Sequence, residues 1–193
     1  MGKSANPPGT RYLTDKGNDR QESDLLYLVA LGSNQRHGRL GDPRAIVAAA
    51  LDALTNTGEV LAASPIVASA PVGPSQRRYA NAVAMVRSDL RPDALLAALQ
   101  QIERNFGRRR RGQRWRARSL DLDIVLWSGG IWRSDELLIP HPMFRRREFV
   151  LGPAARIAPS WRDPVTGLTL AQLHARLTRK RATPSPRPGG KGR

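Results

Sequence analysis

The sequence contains no cysteine, only three histidines, and few aromatic residues, which make up 5% of its 193 residues. Without cysteine there can be no disulfide, no thiolate zinc site and no cysteine nucleophile, and such a composition fits a reducing compartment. The histidines, His37, His141 and His174, lie far apart in the sequence, which argues against a histidine metal site. We therefore expect a cytoplasmic protein without disulfides.

Long hydrophobic runs are also absent. The longest strongly apolar stretch, residues 25–31, is far shorter than the ~20 residues that a membrane helix needs. Lys3 is followed by no apolar run of the kind that a secretory signal contains. The length is that of one domain. We expect a single folded domain that does not associate with membranes.

The usual nucleotide-binding loop is missing as well. Gly107 and Gly112 have nearly the spacing of a P-loop, but Gln113 and Arg114 follow where that motif requires Lys and then Ser or Thr. No glycine-rich dinucleotide fingerprint occurs elsewhere. If a nucleotide binds, arginines and a metal ion must hold it.

Positive charge is abundant and local. The formal net charge is +16, and two stretches without acidic residues carry most of it: 104–118 with eight arginines and 178–193 with six basic residues. Residues 1–23 and 178–193 are polar and rich in turn residues, so neither can bury enough apolar surface to offset the entropy of ordering. We expect a disordered tail at 1–23, a folded domain at 24–177 and a disordered basic tail at 178–193.

Apolar periodicity in the expected domain predicts alternating elements. Strands are predicted at 25–31, 60–68, 79–87 and 120–127, with a short hairpin strand at 131–132, and helices at 44–57, 92–106 and 170–177. The main order, β-α-β-β-α-β, is that of the ferredoxin-like split βαβ unit. The sequence therefore predicts an α+β fold with a mainly antiparallel sheet and packed helices.

Two carboxylates lie two residues apart on the predicted strand 120–127. Alternation along a strand puts Leu120, Leu122 and Ile124 on one face and Asp121 and Asp123 on the other. Carboxylates ~7 Å apart at the backbone can converge on a hard cation such as Mg²⁺. Surface salt bridges with nearby arginines, or another use such as sugar-nucleotide transfer, are the alternatives.

The arginine-rich stretch precedes this strand directly. Guanidinium groups bind phosphate through paired hydrogen bonds, and Gly107 and Gly112 are typical of a mobile loop that closes over a phosphate substrate. Trp115 is the aromatic residue of this loop. Downstream, prolines on both sides restrict the position of the His141 ring. A nucleic-acid-binding patch is the alternative for the arginines, and a structural role is the alternative for His141.

These pieces occur together, in order, in one enzyme family. The sequence Arg118-Ser119-Leu120-Asp121-Leu122-Asp123 is similar to that family's R-[ST]-L-D-L-D signature, and Pro140-His141-Pro142 and Arg147-Glu148-Phe149 follow it. Further matches are the stretches at 30–34, 79–83 and 100–103. Over residues 25–162 the chain resembles the hydroxymethyldihydropterin pyrophosphokinases of folate biosynthesis.

The resemblance implies a reaction and a set of site residues. The reaction is transfer of the diphosphate of ATP to the hydroxymethyl group of 6-hydroxymethyl-7,8-dihydropterin, with release of AMP. It implies two Mg²⁺ ions on Asp121 and Asp123, and catalytic arginines at Arg108 and Arg118. The implied ATP contacts are Gln100, Glu103, Arg110, Trp115, His141 and Arg147, and the implied pterin contacts are Ser69, Val72, Tyr79, Asn81 and Phe149.

Two departures from the family pattern concern the substrate pockets. Ser69 and Ala70 stand where members often have Thr and then Pro or a charged residue, and Glu136 stands where some members have a basic residue near the adenosine. Two other functions remain as alternatives: an RNA- or DNA-binding protein that uses the arginines, and a relative that keeps the pocket without activity. We expect a monomer without specific nucleic-acid binding.

Overall fold

The computed structural model describes residues 25–69, 78–107 and 119–179. The expected tail at 1–23 and residues 180–193 of the expected basic tail lie outside the described residues. So do residues 108–118 of the arginine-rich stretch, together with Val72 of the predicted pterin loop.

Seven strands and four α-helices are present in the described residues. The strands are β1 (Leu25–Ser33), β2 (Glu59–Ala63), β3 (Val67–Ser69), β4 (Tyr79–Ser88), β5 (Asp121–Trp127), β6 (Trp132–Arg133) and β7 (Leu138–Ile139). The helices are α1 (Pro43–Ala53), α2 (Pro92–Asn105), α3 (Glu148–Ile157) and α4 (Leu170–Thr178).

The main sheet has the order β2-β4-β1-β5, and β3 pairs with β4 beside this path. Every pairing is antiparallel. With α1 and α2 connecting the strands, this is the ferredoxin-like arrangement that the sequence predicts. The α+β fold class is therefore confirmed.

The predicted strand 60–68 is wrong as a single strand. It is two strands, β2 and β3, separated at Ser64 and Pro65. Pro65 has no N–H to donate, and the Ser64 side chain takes part in the pairing, because its hydroxyl oxygen accepts the Val83 N–H at 3.0 Å. Both short strands still lie against β4, so the topology is unchanged.

The other differences concern helices and the hairpin. The α-helical part of the predicted helix 44–57 ends at Ala53, and a 3₁₀ turn, Leu54–Thr57, leads to Gly58. The hairpin strand lies at Trp132–Arg133 and pairs with β7. Helix α3 has no counterpart among the predicted elements, because Gly152 and Pro153 in its middle lower helix propensity.

Helices cover both faces of the sheet. On one face, α1 and α2 pack against a cluster that includes Leu122 and Ile124, which are 4% and 2% exposed. On the other face, α3 and α4 pack against residues such as Leu28 and Val83. The predicted alternation along β5 is confirmed, so Asp121 and Asp123 lie on the α3 face.

Within the described ranges, none of the helices is both long enough and apolar enough to cross a membrane.

Candidate active site

Strand register aligns polar residues in rows across the sheet. Asp121 is opposite Gly32, and Gly32 is opposite Asn81. A Cβ atom built on Gly32 would lie 3.4 Å from the Asn81 side-chain oxygen. Because directly opposed residues share a face, Asp121 and Asn81 lie on one surface, with a residue lacking a side chain between them.

Asp123 is the meeting point of two basic side chains. Its Oδ2 atom lies 3.9 Å from His141 Nε2 and 3.8 Å from a terminal nitrogen of Arg147. All three side chains are partly exposed. The structure therefore brings together three residues that the sequence analysis placed in one site, two of them more than fifteen residues further along the chain.

His141 is held by the backbone on both sides. Its N–H donates to the Val125 carbonyl at 3.0 Å, which ties it to β5. Its Nδ1 accepts the Met143 N–H at 3.1 Å, so the neutral ring carries its proton on Nε2, toward Asp123. Burial lowers the pKa of His141, and this outweighs the opposing effect of Asp123. The ring is therefore neutral near pH 7 in this arrangement.

Phe149 lies in the first turn of α3, next to the basic pair. The Arg147 guanidinium carbon is 6.0 Å from the centroid of the Phe149 ring, which is the outer limit for a cation–π contact. The ring is partly buried and packs against the α3–α4 core. Its partly open side offers a flat apolar surface at the edge of the site.

Three predicted pterin contacts share the α3 face. Tyr79 and Asn81 are two residues apart on β4 and therefore lie on one face, and Ser69 is paired with Tyr79. The Asn81 amide donates to the Ser69 hydroxyl oxygen at 2.9 Å, and Asn81 is only 4% exposed. These residues therefore form the part of the surface beyond Gly32, across the sheet from the two aspartates.

Glu103 lies on the other side of β5. Its Oε1 atom accepts the Leu122 N–H at 2.9 Å, and the residue is 2% exposed. Leu122 is the residue between the two aspartates, so Glu103 fixes the backbone from which both carboxylates extend. Gln100, one turn earlier on α2, is half-exposed.

The arginine-rich segment begins and ends beside this site. The Ser119 hydroxyl donates to the Phe106 carbonyl at 2.6 Å, and the Ser33 hydroxyl donates to the Ser119 carbonyl at 2.5 Å. These bonds join the end of α2, the end of β1 and the start of β5. Arg108, Arg110, Trp115 and Arg118 lie outside the described residues, but their segment leaves and rejoins the described fold here.

A cavity of about 280 Å³ lies further along α2. Its lining residues are Asp93, Leu96, Ser134, Asp135, Glu136 and Leu137. Asp93 and Leu96 precede Gln100 and Glu103 at helical spacing, so all four lie on one face of α2. The cavity therefore lies along α2 from Glu103, which contacts the strand of aspartates through the Leu122 N–H, from the face of the sheet opposite to Asp121 and Asp123.

Comparison with known proteins agrees with this geometry. The model of the 7,8-dihydro-6-hydroxymethylpterin-pyrophosphokinase family matches residues 28–159. This range begins within β1, runs through the end of α3 and contains every described residue of the site. The chain belongs to this pyrophosphokinase family.

Individual relatives have the same family name. A 2-amino-4-hydroxy-6-hydroxymethyldihydropteridine pyrophosphokinase of Pseudomonas aeruginosa is 44% identical over 139 residues, which are 70% of this chain and 82% of the relative. One of Haemophilus influenzae is 42% identical over 138 residues, or 69% and 82%.

A solved structure shows the same fold. The crystal structure of Plasmodium falciparum HPPK-DHPS aligns with a TM-score of 0.63 at 12% identity, covering 79% of this chain and 44% of that chain. The present chain therefore corresponds to less than half of that protein.

The sequence analysis missed several residues that shape the site. The Ser33 hydroxyl joins the end of β1 to Ser119, where the arginine segment ends. Ser33 lies in the matching stretch 30–34, and that match is the signal that could have identified it. Arg145 and Asp163 form a buried ion pair close to the site, and no local pattern marks either residue.

Proposed function

We propose that this protein transfers the diphosphate of ATP to the hydroxymethyl group of 6-hydroxymethyl-7,8-dihydropterin and releases AMP, as a step of folate biosynthesis. The observation that carries the proposal is the convergence of His141 and Arg147 on Asp123, on the same face as Asp121 and Asn81. Family membership supports the same reaction.

Asp121 and Asp123 fit magnesium by their chemistry. They are oxygen donors on one face of one strand, and among the described residues no group of three or more His, Cys, Asp or Glu could hold a metal by itself. Mg²⁺ typically binds one or two carboxylates together with substrate phosphates. We propose that these two residues hold two Mg²⁺ ions with ATP, and that the bound ions neutralise the charge of the triphosphate.

The basic residues are assigned to the phosphate side. Arg147 and the Nε2–H of His141 are donors at the edge of the carboxylate pair, where phosphate oxygens would lie. In the proposed reaction the pterin hydroxyl oxygen forms a bond to the β-phosphorus and its proton is released to solvent. The bond between the β-phosphorus and the oxygen that bridges it to the α-phosphate breaks, and AMP leaves with that oxygen. We assign Arg108 and Arg118 to charge stabilisation and Arg110 and Trp115 to closure of the loop. Positioning and electrostatics would supply most of the acceleration.

The two substrates are assigned to different parts of the site. Tyr79, Asn81, Phe149 and the loop residues Ser69 and Val72 would hold the pterin ring, because flat apolar surfaces and one buried amide suit a heterocycle with polar edges. Gln100 and Glu103 would lie on the ATP side. The adenosine would extend along α2 toward the cavity at Glu136. The monomeric state, the cytoplasmic location and the domain boundaries stay predictions.

The nucleotide product tests the reaction. Purified protein incubated with hydroxymethyldihydropterin, ATP and Mg²⁺ should form AMP and the pterin diphosphate in equal amounts, measured by chromatography. Without pterin, no AMP should form. ADP as the product, or AMP that does not depend on pterin, would contradict the proposal.

The pterin assignment is tested at Asn81. Replacing a buried hydrogen-bonding amide leaves the substrate edge unpaired, which typically costs 1–3 kcal/mol, so Asn81→Ala should raise the KM for pterin by about tenfold or more. The KM for ATP should change by less than about twofold.

Ser69→Ala is the matched control for this variant, because it removes the hydrogen-bond partner of Asn81 and keeps the amide. Its effect on the pterin KM should be smaller. An equal rise in both KM values for Asn81→Ala would indicate a general disturbance of β4.

A further inference from the structure

The segment 141–147, which joins β7 to α3, carries both basic side chains of the site at its two ends. The Phe144 N–H donates to the His141 carbonyl at 3.2 Å, and the Arg147 N–H donates to the Phe144 carbonyl at 3.2 Å. The middle of the segment is a single 3₁₀ turn, Phe144–Arg146. Because these bonds are short-range, they fix the shape of the segment but not its orientation on the protein.

Arg145 connects this segment to the loop that precedes α4. Its Nε donates to Asp163 Oδ2 at 2.7 Å, and a terminal nitrogen donates to Oδ1 at 2.5 Å. Asp163 is fully buried. Its carboxylate also accepts the Thr166 hydroxyl at 2.5 Å and the Val165 N–H at 3.2 Å. These two bonds hold the Asp163 carboxylate in place independently of Arg145.

Adjacent residues of the turn are thus anchored in two directions. The Phe144 side chain is fully buried in the α3–α4 core, and the Arg145 guanidinium carbon lies 4.6 Å from the centroid of its ring. Consecutive side chains of a 3₁₀ turn point about 120° apart. The ends of the segment are tied to β5 by the His141 N–H and to α3 by the Arg147 carbonyl. The Arg145 contact adds a side-chain anchor in the middle of the segment, in a direction different from that of the buried ring.

We infer that Asp163, acting through Arg145, is a positioning residue for ATP binding: it sets the orientation of segment 141–147 and so the places of His141 and Arg147 beside Asp123. The inference rests on the proposed roles of His141 and Arg147 in binding ATP. A paired guanidinium–carboxylate contact specifies geometry as well as energy, and small misplacements of binding groups are costly for catalysis.

The test is a double-mutant cycle on the full chain with ATP and Mg²⁺. Asp163→Asn keeps the side-chain volume and removes the charge, and it should raise the KM for ATP by about tenfold while the KM for pterin stays unchanged. In the Arg147→Ala background the same change should raise the KM for ATP by less than about threefold, because the group being positioned is gone. Arg145→Gln removes the charge of the more exposed partner of the Arg145–Asp163 ion pair, and it should reproduce the effect of Asp163→Asn.

Leu54→Ala serves as a control for loss of stability. Leu54 is fully buried on the opposite face of the sheet, so its truncation destabilises the fold without touching segment 141–147. Its KM for ATP should equal that of the wild type at a temperature where all variants are folded.

Three outcomes would overturn the inference. One is an unchanged KM for ATP in both Asp163→Asn and Arg145→Gln, and another is a full multiplicative effect in the Arg147→Ala background. The third is an equal rise in Leu54→Ala. If Arg147→Ala alone leaves the KM for ATP unchanged, the proposed role of Arg147 fails first. If Arg147→Ala raises it and Asp163→Asn does not, only the positioning role fails.

Discussion

Asp123→Ala is expected to lower kcat by about a thousandfold, in line with the loss of a preorganised charge in other active sites. Both His141 and Arg147 approach this carboxylate within 4 Å. Its loss would remove a proposed magnesium ligand and release both basic side chains from their common partner. The measurement is steady-state AMP production at saturating ATP and pterin across a magnesium titration.

The fold should survive this change, because the Asp123 side chain is 38% exposed and faces the substrate surface rather than the α1–α2 core. The melting temperature should therefore shift by no more than a few degrees. Asp52→Ala, on the exposed surface of α1, removes the same chemical group and should leave both turnover and magnesium dependence unchanged. A large loss of stability in Asp123→Ala, or turnover within tenfold of wild type, would count against the metal assignment.

Arg145→Met is expected to lower the free energy of unfolding by about 3 kcal/mol at pH 7, because it leaves the buried carboxylate of Asp163 without its charged partner. The measurement is urea unfolding followed by circular dichroism. Arg146→Met is the matched control, since Arg146 is the exposed neighbour in the same turn, and it should cost less than about 0.5 kcal/mol. Equal effects in the two variants would show that the pair contributes little.

The difference in the free energy of unfolding between the wild type and Arg145→Met should become smaller at acidic pH. Burial raises the pKa of Asp163, but hydrogen bonds from Arg145, Thr166 and the Val165 N–H outweigh it and hold the pKa below its usual value. Because the pKa of Asp163 is lower in the folded than in the unfolded state, its ionisation stabilises the fold at pH values above the unfolded pKa of about 4. This contribution is lost as the pH falls through the lower pKa of the folded state.

In Arg145→Met the raising effect of burial on the pKa of Asp163 is less compensated. Protonation of Asp163 should therefore lower the free energy of unfolding less in this variant than in the wild type. The difference in unfolding free energy should therefore be constant between about pH 6 and pH 8 and decrease below about pH 4. A difference that grows as the pH falls would contradict the assigned direction of the pKa.

Local periodicity predicts the three long strands of the main sheet and the positions of the two aspartates. Alternation along residues 120–127 predicts that Leu122 and Asp123 lie on opposite faces, and the structure agrees. Helix α3 could not be predicted in this way, because Gly152 and Pro153 oppose helix formation locally and burial of Leu151 and Ala154 offsets that cost only in the folded protein. The break between β2 and β3 likewise depends on a side-chain bond across to β4.

The site shows the same division between local and tertiary information. Residue order within the signature identified Asp121, Asp123, His141 and Arg147, and the fold brings the last three to one place. The ion pair of Arg145 and Asp163 spans eighteen residues and follows no periodic pattern, so only the structure shows it. Whether a residue of the matching stretches faces substrate or supports the backbone is a tertiary property.

The bond between Glu103 and the Leu122 N–H also bears on how copies of this protein meet. Strand β5 is the last strand of the main sheet on its side, and an uncovered border strand offers its N–H and C=O groups to any other chain. At Leu122 the buried carboxylate of Glu103 already occupies the donor that an added strand would need. The side chain that steadies the site therefore also discourages edge-to-edge aggregation through β5.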